Sequence, residues 1–233
     1  MNHQRISVVI TSALLFLLLG VTASYTRAQV INDNRPAIWP SISVKKSLGD
    51  HWRFRLEHGT RFLFRPYSTD KVYFQTGAEY LIRHNIGIEL YYRFSFDNDP
   101  DEGWTLGHRI SAEADFETNI KRVHLFFHPT VQTTFSHDNT ADHMNPLWCY
   151  RIKGVVKYNI PKSSLEPFGS MEVFLGRRSH EAFSAYKYRV ALGLSGNLTK
   201  KISMSGSLLQ QGGFFTSSVN SVSVLNLEWS YKL

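Results

Sequence analysis

From residue 37 onward, apolar and polar side chains alternate over long segments, and this period limits the folds open to the chain more than any other feature. Residues 52–65 show it most clearly. Trp52, Phe54, Leu56, His58, Thr60, Phe62 and Phe64 fall on one side; Arg53, Arg55, Glu57, Gly59, Arg61, Leu63 and Arg65 fall on the other. Successive side chains of a strand point to opposite faces, so this segment is apolar on one face and charged on the other. Its length exceeds the usual strand of a water-soluble protein and suits a tilted bilayer crossing of about 9–11 residues with overhang.

The same period recurs over residues 72–82, 86–96, 104–116, 123–135, 148–160, 186–198, 202–208 and 225–233. The breaks at 48–51, 83–85, 117–120 and 199–200 are short, whereas those at 96–103, 136–147, 176–183 and 212–220 are longer. Repeated amphipathic strands joined by alternately short and long breaks predict an all-β fold: one antiparallel transmembrane β-barrel with an apolar exterior and a polar lumen. The short turns are assigned to the periplasmic side and the long loops to the outside. About eleven segments are countable, and the even-number preference of such barrels points to ten or twelve, within a range of about 10–12 strands. Residues 29–35 are the candidates for an extra strand. A soluble β-sandwich or lipocalin-like barrel also alternates, but it would put its apolar face inward and its charges in water. Against that reading stand the long segments, a chain that ends inside an amphipathic strand, and aromatics near strand ends (Trp39, Trp52, Trp104, Trp148, Trp229 and Tyr231), as expected of interfacial girdles.

Composition agrees only because of this alternation. The 233 residues carry a net charge of +7 and a mean hydropathy of −0.24, and no apolar run long enough for a helical span follows residue 21. At the N-terminus, Arg5 precedes an apolar stretch over residues 6–21, and Thr26-Arg27-Ala28 sets small residues at −3 and −1 of a cleavage site. The expected organisation is therefore a cleaved secretory signal over residues 1–28 and a barrel over 29–233, exported to the bacterial outer membrane. The single cysteine, Cys149, cannot form an internal disulfide and reads as a small buried strand residue.

Several short runs resemble one family. They are His108-Arg109-Ile110, Tyr150-Arg151-Ile152 leading to Tyr158-Asn159-Ile160, Pro167-Phe168 before Glu172-Val173-Phe174, Tyr188-Arg189-Val190 with Gly193, and the closing Trp229-Ser230-Tyr231. Together they are similar to the small outer-membrane barrels, mostly from Bacteroidota, of domain-of-unknown-function family 2490. The resemblance spans nearly the whole mature chain and implies an outer-membrane β-barrel with no established activity. Leu233 stands where such proteins commonly end in an aromatic residue.

The polar face supplies the candidate functional residues. Arg53, Arg55, Glu57, Glu89, Arg93, Arg109, Glu113, Arg151, Glu172 and Arg189 are expected to form a charge network in the lumen, with Arg61, Glu79, Asp115, Arg122, Lys153 and Glu228 on the same face. Charges enclosed in a narrow interior must pair to offset lost hydration. Arg93, Glu89, Arg109 and Glu113, on neighbouring strands, are expected to close one ion-pair network. Two roles follow, a braced structural interior or a narrow passive pore whose excess of Arg favours anions. Alternatives are a surface-binding protein acting through its outer loops and an outer-membrane lipid-modifying enzyme. No catalytic constellation, cofactor site or metal site is expected. His58-Gly59-Thr60 and His128-Pro129-Thr130 only loosely match the His-x-Ser pattern that outer-membrane lipid hydrolases resemble, and a nucleophile also needs an oriented base. The acidic run 97–103 lacks the spacing of a calcium loop and reads as a solvated loop. Expected partners are outer-membrane lipid and lipopolysaccharide, with the barrel-assembly machinery during biogenesis. No nucleic-acid patch is expected, and the barrel is expected to be a monomer.

Overall fold

The computed structural model describes residues 35–64, 67–99, 103–136, 147–176, 183–214 and 221–233. The signal-peptide reading, and all of the candidate strand 29–35 except Arg35, lie outside the described residues. Eleven strands form a closed barrel: β1 (Arg35–Leu48), β2 (Trp52–Phe64), β3 (Tyr67–Arg83), β4 (Ile86–Asp99), β5 (Gly103–Ile120), β6 (Val123–Ser136), β7 (Leu147–Tyr158), β8 (Leu165–Gly176), β9 (Ser184–Asn197), β10 (Ile202–Gly213) and β11 (Val222–Lys232). Sequential neighbours pair antiparallel throughout. The last seam differs, because β1 pairs with β11 in parallel from Arg35↔Val222 to Lys45↔Lys232. An odd number of up-and-down strands leaves the first and last pointing the same way. Neither ten nor twelve strands is therefore correct, and one seam of the barrel departs from antiparallel pairing.

Connections 49–51, 84–85, 121–122, 159–164 and 198–201 gather at one end, together with Lys232. The chain enters β1 at the other end, where the remaining connections fall. The expected short break at 117–120 belongs to β5, which continues to Ile120. The turn is Lys121-Arg122, with Lys121 in the left-handed region at φ 57°. Arg122 is thus a turn residue and not a lumen charge. The acidic run is likewise shorter as a loop than expected, since β4 extends to Asp99 and β5 starts at Gly103.

The alternation sets the two faces. Every strand contributes an exposed apolar side chain to the exterior, including Ile42, Leu56, Phe74, Leu90, Ile110, Phe127, Ile152, Leu165, Leu192, Leu208 and Leu225. Glu89, Ser111, Thr130, Gln132, Glu172 and Ser207 are buried inside. Trp52, Trp104 and Trp148 are exposed on the exterior. Trp39 is not. It packs inside against Ala37, Val222 and Val224, with Leu63 and Leu209, so the girdle assignment fails for it. The cause is strand phase, because Ala37 and Trp39 share the inward face of β1 with Ser43.

Two prolines interrupt ladders without shifting them. β1 and β2 pair at Ile38↔Phe62 and again at Ser41↔Gly59, with Pro40 in the gap. β5 and β6 pair at Glu113↔Thr130 and again at Phe116↔Phe127, with Pro129 in the gap. Proline has no N–H to donate to a ladder.

The exposed outer face predicts its own sensitivity. Leu90 is 60% exposed and Leu208 72%. In phospholipid vesicles, Leu90→Arg and Leu208→Arg should each cost about 2–4 kcal/mol in urea unfolding, whereas Leu→Phe at either position should change little. Equal stability of the Arg and Phe variants would show that this face does not meet lipid.

Candidate functional site

The inward side chains form three zones along the barrel axis. At the end where the chain enters, Ala37, Val222 and Val224 form a small apolar cluster across the closing seam. Next comes a cationic belt, and beyond it a zone rich in carboxylates.

The belt is organised by Glu172 on β8, which is 5% exposed. Arg151 Nε donates to its Oε1 at 2.7 Å and Arg189 Nη1 to its Oε2 at 3.3 Å. Each arginine also has a neutral partner, since Arg151 donates to Gln132 at 3.3 Å and Arg189 to Gln211 at 2.8 Å. The register explains the meeting, because Glu172 pairs across β8–β9 with Arg189, and Arg151 lies diagonally on β7. Lys71 holds Asp97 at 2.6 Å, so Asp97 turns into the lumen rather than into an outer loop. Asn98 donates to the Thr69 carbonyl, and residues 100–102 of the acidic run lie outside the described residues.

The expected four-residue network is not formed. Arg93 lies opposite Arg109, and Glu89 lies opposite Glu113. Antiparallel register sets like against like, because Arg precedes Glu along β5 and Glu precedes Arg along β4. Neutral groups satisfy each member. Arg93 Nε donates to Gln75 at 2.8 Å and its guanidinium lies 3.9 Å over the Tyr73 ring. Arg109 Nε donates to Thr134 at 3.1 Å. Tyr91 donates to Glu89 and, at 3.4 Å, to Glu113. Thr130 donates to Glu113 at 2.8 Å.

In the carboxylate-rich zone, Arg53 pairs with Glu79 at 3.5 Å and Arg55 with Glu57 at 3.3 Å. Tyr73 donates to Glu57 at 2.8 Å. This ring fits because Gly59 faces it, where a Cβ would stand 2.3 Å from the phenol ring. His128 bonds Asp115 and lies 3.7 Å from Glu113. These three residues bring potential ligand atoms within 4.8 Å of one another. They line a polar cavity of about 330 Å³ that also receives Lys45, Arg55, Glu79 and Glu89. His128 and Thr130, whose spacing suggested a loose hydrolase match, are both engaged with carboxylates. His58 and His108 find partners in aromatic surroundings: His58 packs at a tilt against Phe74 and meets the Tyr73 carbonyl, and His108 bonds Tyr92. Cys149 is buried, with the Tyr186 hydroxyl 3.2 Å away.

Sequence reading missed the polar aromatics and amides that hold these charges. Tyr73 and Tyr91 share the inward phase of their strands with Glu79 and Glu89, and that phase was the available signal. Lys45, Lys71 and Lys187 also lie inside, and were overlooked.

Residues 37–221 match a family described as a protein of unknown function, DUF2490. No curated protein matches the chain. A solved structure described as a bacterial polysaccharide outer membrane secretin is similar over 78% of this chain, at 13% identity and a TM-score of 0.49. The chain spans only 62% of that protein's length.

Removing the shared carboxylate should expose its importance. Glu172→Ala leaves two enclosed arginines without a counter-charge and should lower unfolding stability by about 3–5 kcal/mol. Glu172→Gln keeps an acceptor and should lose less. Glu228→Ala, at an exposed position, should unfold like the unmodified barrel in the same titration.

Proposed function

We propose that this chain, a member of the DUF2490 family, whose function is not known, is an integral outer-membrane protein whose lumen is a narrow passive pore. The observation that carries this reading is the inverted polarity of the closed barrel, with apolar side chains outside and charged ones inside. A water-soluble barrel would gain nothing from exposing a large apolar side chain on every strand, whereas lipid rewards that surface. Closure also pairs the strand edges, as a bilayer interior requires.

The lumen supports a pore over a solid plug. Arg151 and Arg189 keep 22% and 17% of their side-chain surface exposed although they face inward. The polar cavity at the short-turn end adds room for water. The apolar cluster around Val224 lines the other end. A solute crossing this lumen meets carboxylates and then an excess of arginine, so small anions are favoured at the belt. The barrel acts as a monomer in contact with lipid and lipopolysaccharide, inserted by the barrel-assembly machinery.

The protein should stay with outer membranes through carbonate washing and run faster on gels before boiling than after. In planar bilayers it should give small, ohmic, anion-preferring currents, and Arg109→Glu should move the reversal potential toward cation preference. Release by carbonate would refute the membrane assignment. An intact barrel that passes no current would refute the pore and leave a structural barrel.

A further inference from the structure

The cationic belt carries more positive charge than its own carboxylates neutralise. Glu172 is taken by Arg151 and Arg189, and Asp97 by Lys71, with Asp70 beside Lys71 in sequence. Among the described residues no salt bridge engages Arg61, Arg93, Arg109 or Lys187, and the one further carboxylate, Asp70, is shared electrostatically between Arg61 and Lys71. Neutral groups hold three of them on aromatic faces. Arg61 lies 4.2 Å from the Trp39 centroid, Arg93 3.9 Å from that of Tyr73, and Lys187 4.0 Å from that of Phe174. Such a seat fixes a cation without cancelling its charge. The four are also neighbours. Arg93 and Arg109 are directly opposed across β4–β5, and Arg109 and Lys187 interact electrostatically with each other and with Arg61.

A second observation points to a ligand rather than to crowding. Arg61 and Arg189 both lie against Trp39, at 4.2 and 5.3 Å from its centroid, and among the described residues the buried indole Nε1–H has no acceptor. Guanidinium, ammonium and indole groups are all donors. Like charges set opposite one another on a sheet are unfavourable, and an unpaired buried donor adds a further cost. An acceptor-only ligand of high charge density removes both penalties together. Guanidinium forks match phosphate oxygens in paired geometry, and several arginines around one anion suit a multivalent oxyanion better than chloride.

We propose that the cationic belt is a binding site for a compact, multivalent oxyanion of the phosphate class, held by Arg61, Arg93, Arg109 and Lys187, with the Trp39 N–H as a further donor. The proposal rests on the barrel and its charged lumen but not on conduction, so a protein that passes no current can still bind.

The test uses the full barrel folded in zwitterionic detergent and titrated calorimetrically with sodium pyrophosphate, with sodium chloride and sodium sulfate at matched ionic strength as controls. Pyrophosphate should bind saturably near one per barrel, and chloride should not. Arg93→Gln with Arg109→Gln should weaken binding about tenfold or more, while Lys45→Gln, at the carboxylate-rich end, should leave it unchanged. Should the double variant fail to fold, the unmodified barrel's thermal midpoint decides: it should rise with pyrophosphate and not with chloride at equal ionic strength. Absence of saturation, equal binding by the double variant, or an equal midpoint rise with chloride overturns the site. Sulfate equal to pyrophosphate would reduce it to general anion screening and overturn the phosphate-class assignment.

Discussion

Everything in this barrel depends on the backbone hydrogen bonds of the seam between β1 and β11. Where one face of a strand meets lipid, no water completes an open amide edge, so each backbone group needs a neighbouring strand. Ten antiparallel seams arise from local hairpins and connections, but the last must join residues nearly two hundred positions apart. Here that seam runs in parallel from Arg35↔Val222 to Lys45↔Lys232. It continues at both ends through Arg35 N–H to the Ser221 carbonyl and Leu233 N–H to the Lys45 carbonyl. Parallel pairing is slightly weaker per residue than antiparallel. The apolar packing of Ala37, Val222 and Val224 just inside the seam offsets part of that difference.

The seam also fixes which lumen residues meet. With all registers locked around the ring, a charge cannot choose its partner; it accepts whatever the pleat sets opposite. On β8 and β9 this delivers Glu172 to Arg189. On β4 and β5 it delivers Arg93 to Arg109 and Glu89 to Glu113. The like pairs persist because Tyr91 bridges the two glutamates, because Gln75 and Thr134 bond the two arginines from the flanking strands, and because glycines clear space for the rings. A Cβ on Gly77 would lie 2.8 Å from both Glu89 and the Tyr91 ring.

These different origins explain what was legible in the sequence. Facing is a local property with period two, so Leu56, Leu90 and Arg151 could be assigned to outside or inside from the string alone. Strand number is countable at about eleven, and the even-number preference of such barrels points away from the odd count that the closed barrel has. Closure is non-local and leaves no local mark. Register depends on turn lengths, and the β5–β6 turn lies at Lys121-Arg122 rather than at 117–120, so which cross-strand charges would meet could not be read. Trp39 shows the limit of residue type as evidence: an indole suggests an interface, yet the phase of β1 turns it inward beside Arg61 and Arg189.

The order of charges along the axis argues against a lumen that is only filler. An interior selected for bracing alone gains most when each cross-strand pair unites opposite signs, as Lys153 and Glu172 or Arg53 and Glu79 do. β4 and β5 instead carry the same sequence of signs when read in one axial direction, with arginine toward the long connections and glutamate toward the short turns. That choice forgoes two attractive pairs and accepts two repulsive ones, each of order 0.2–1 kcal/mol. It creates a field along the lumen, negative at one end and positive at the other. Such a gradient does nothing for a packed core. In the proposed pore it acts on a mobile ion, which the carboxylate zone sorts and the proposed site in the arginine belt holds.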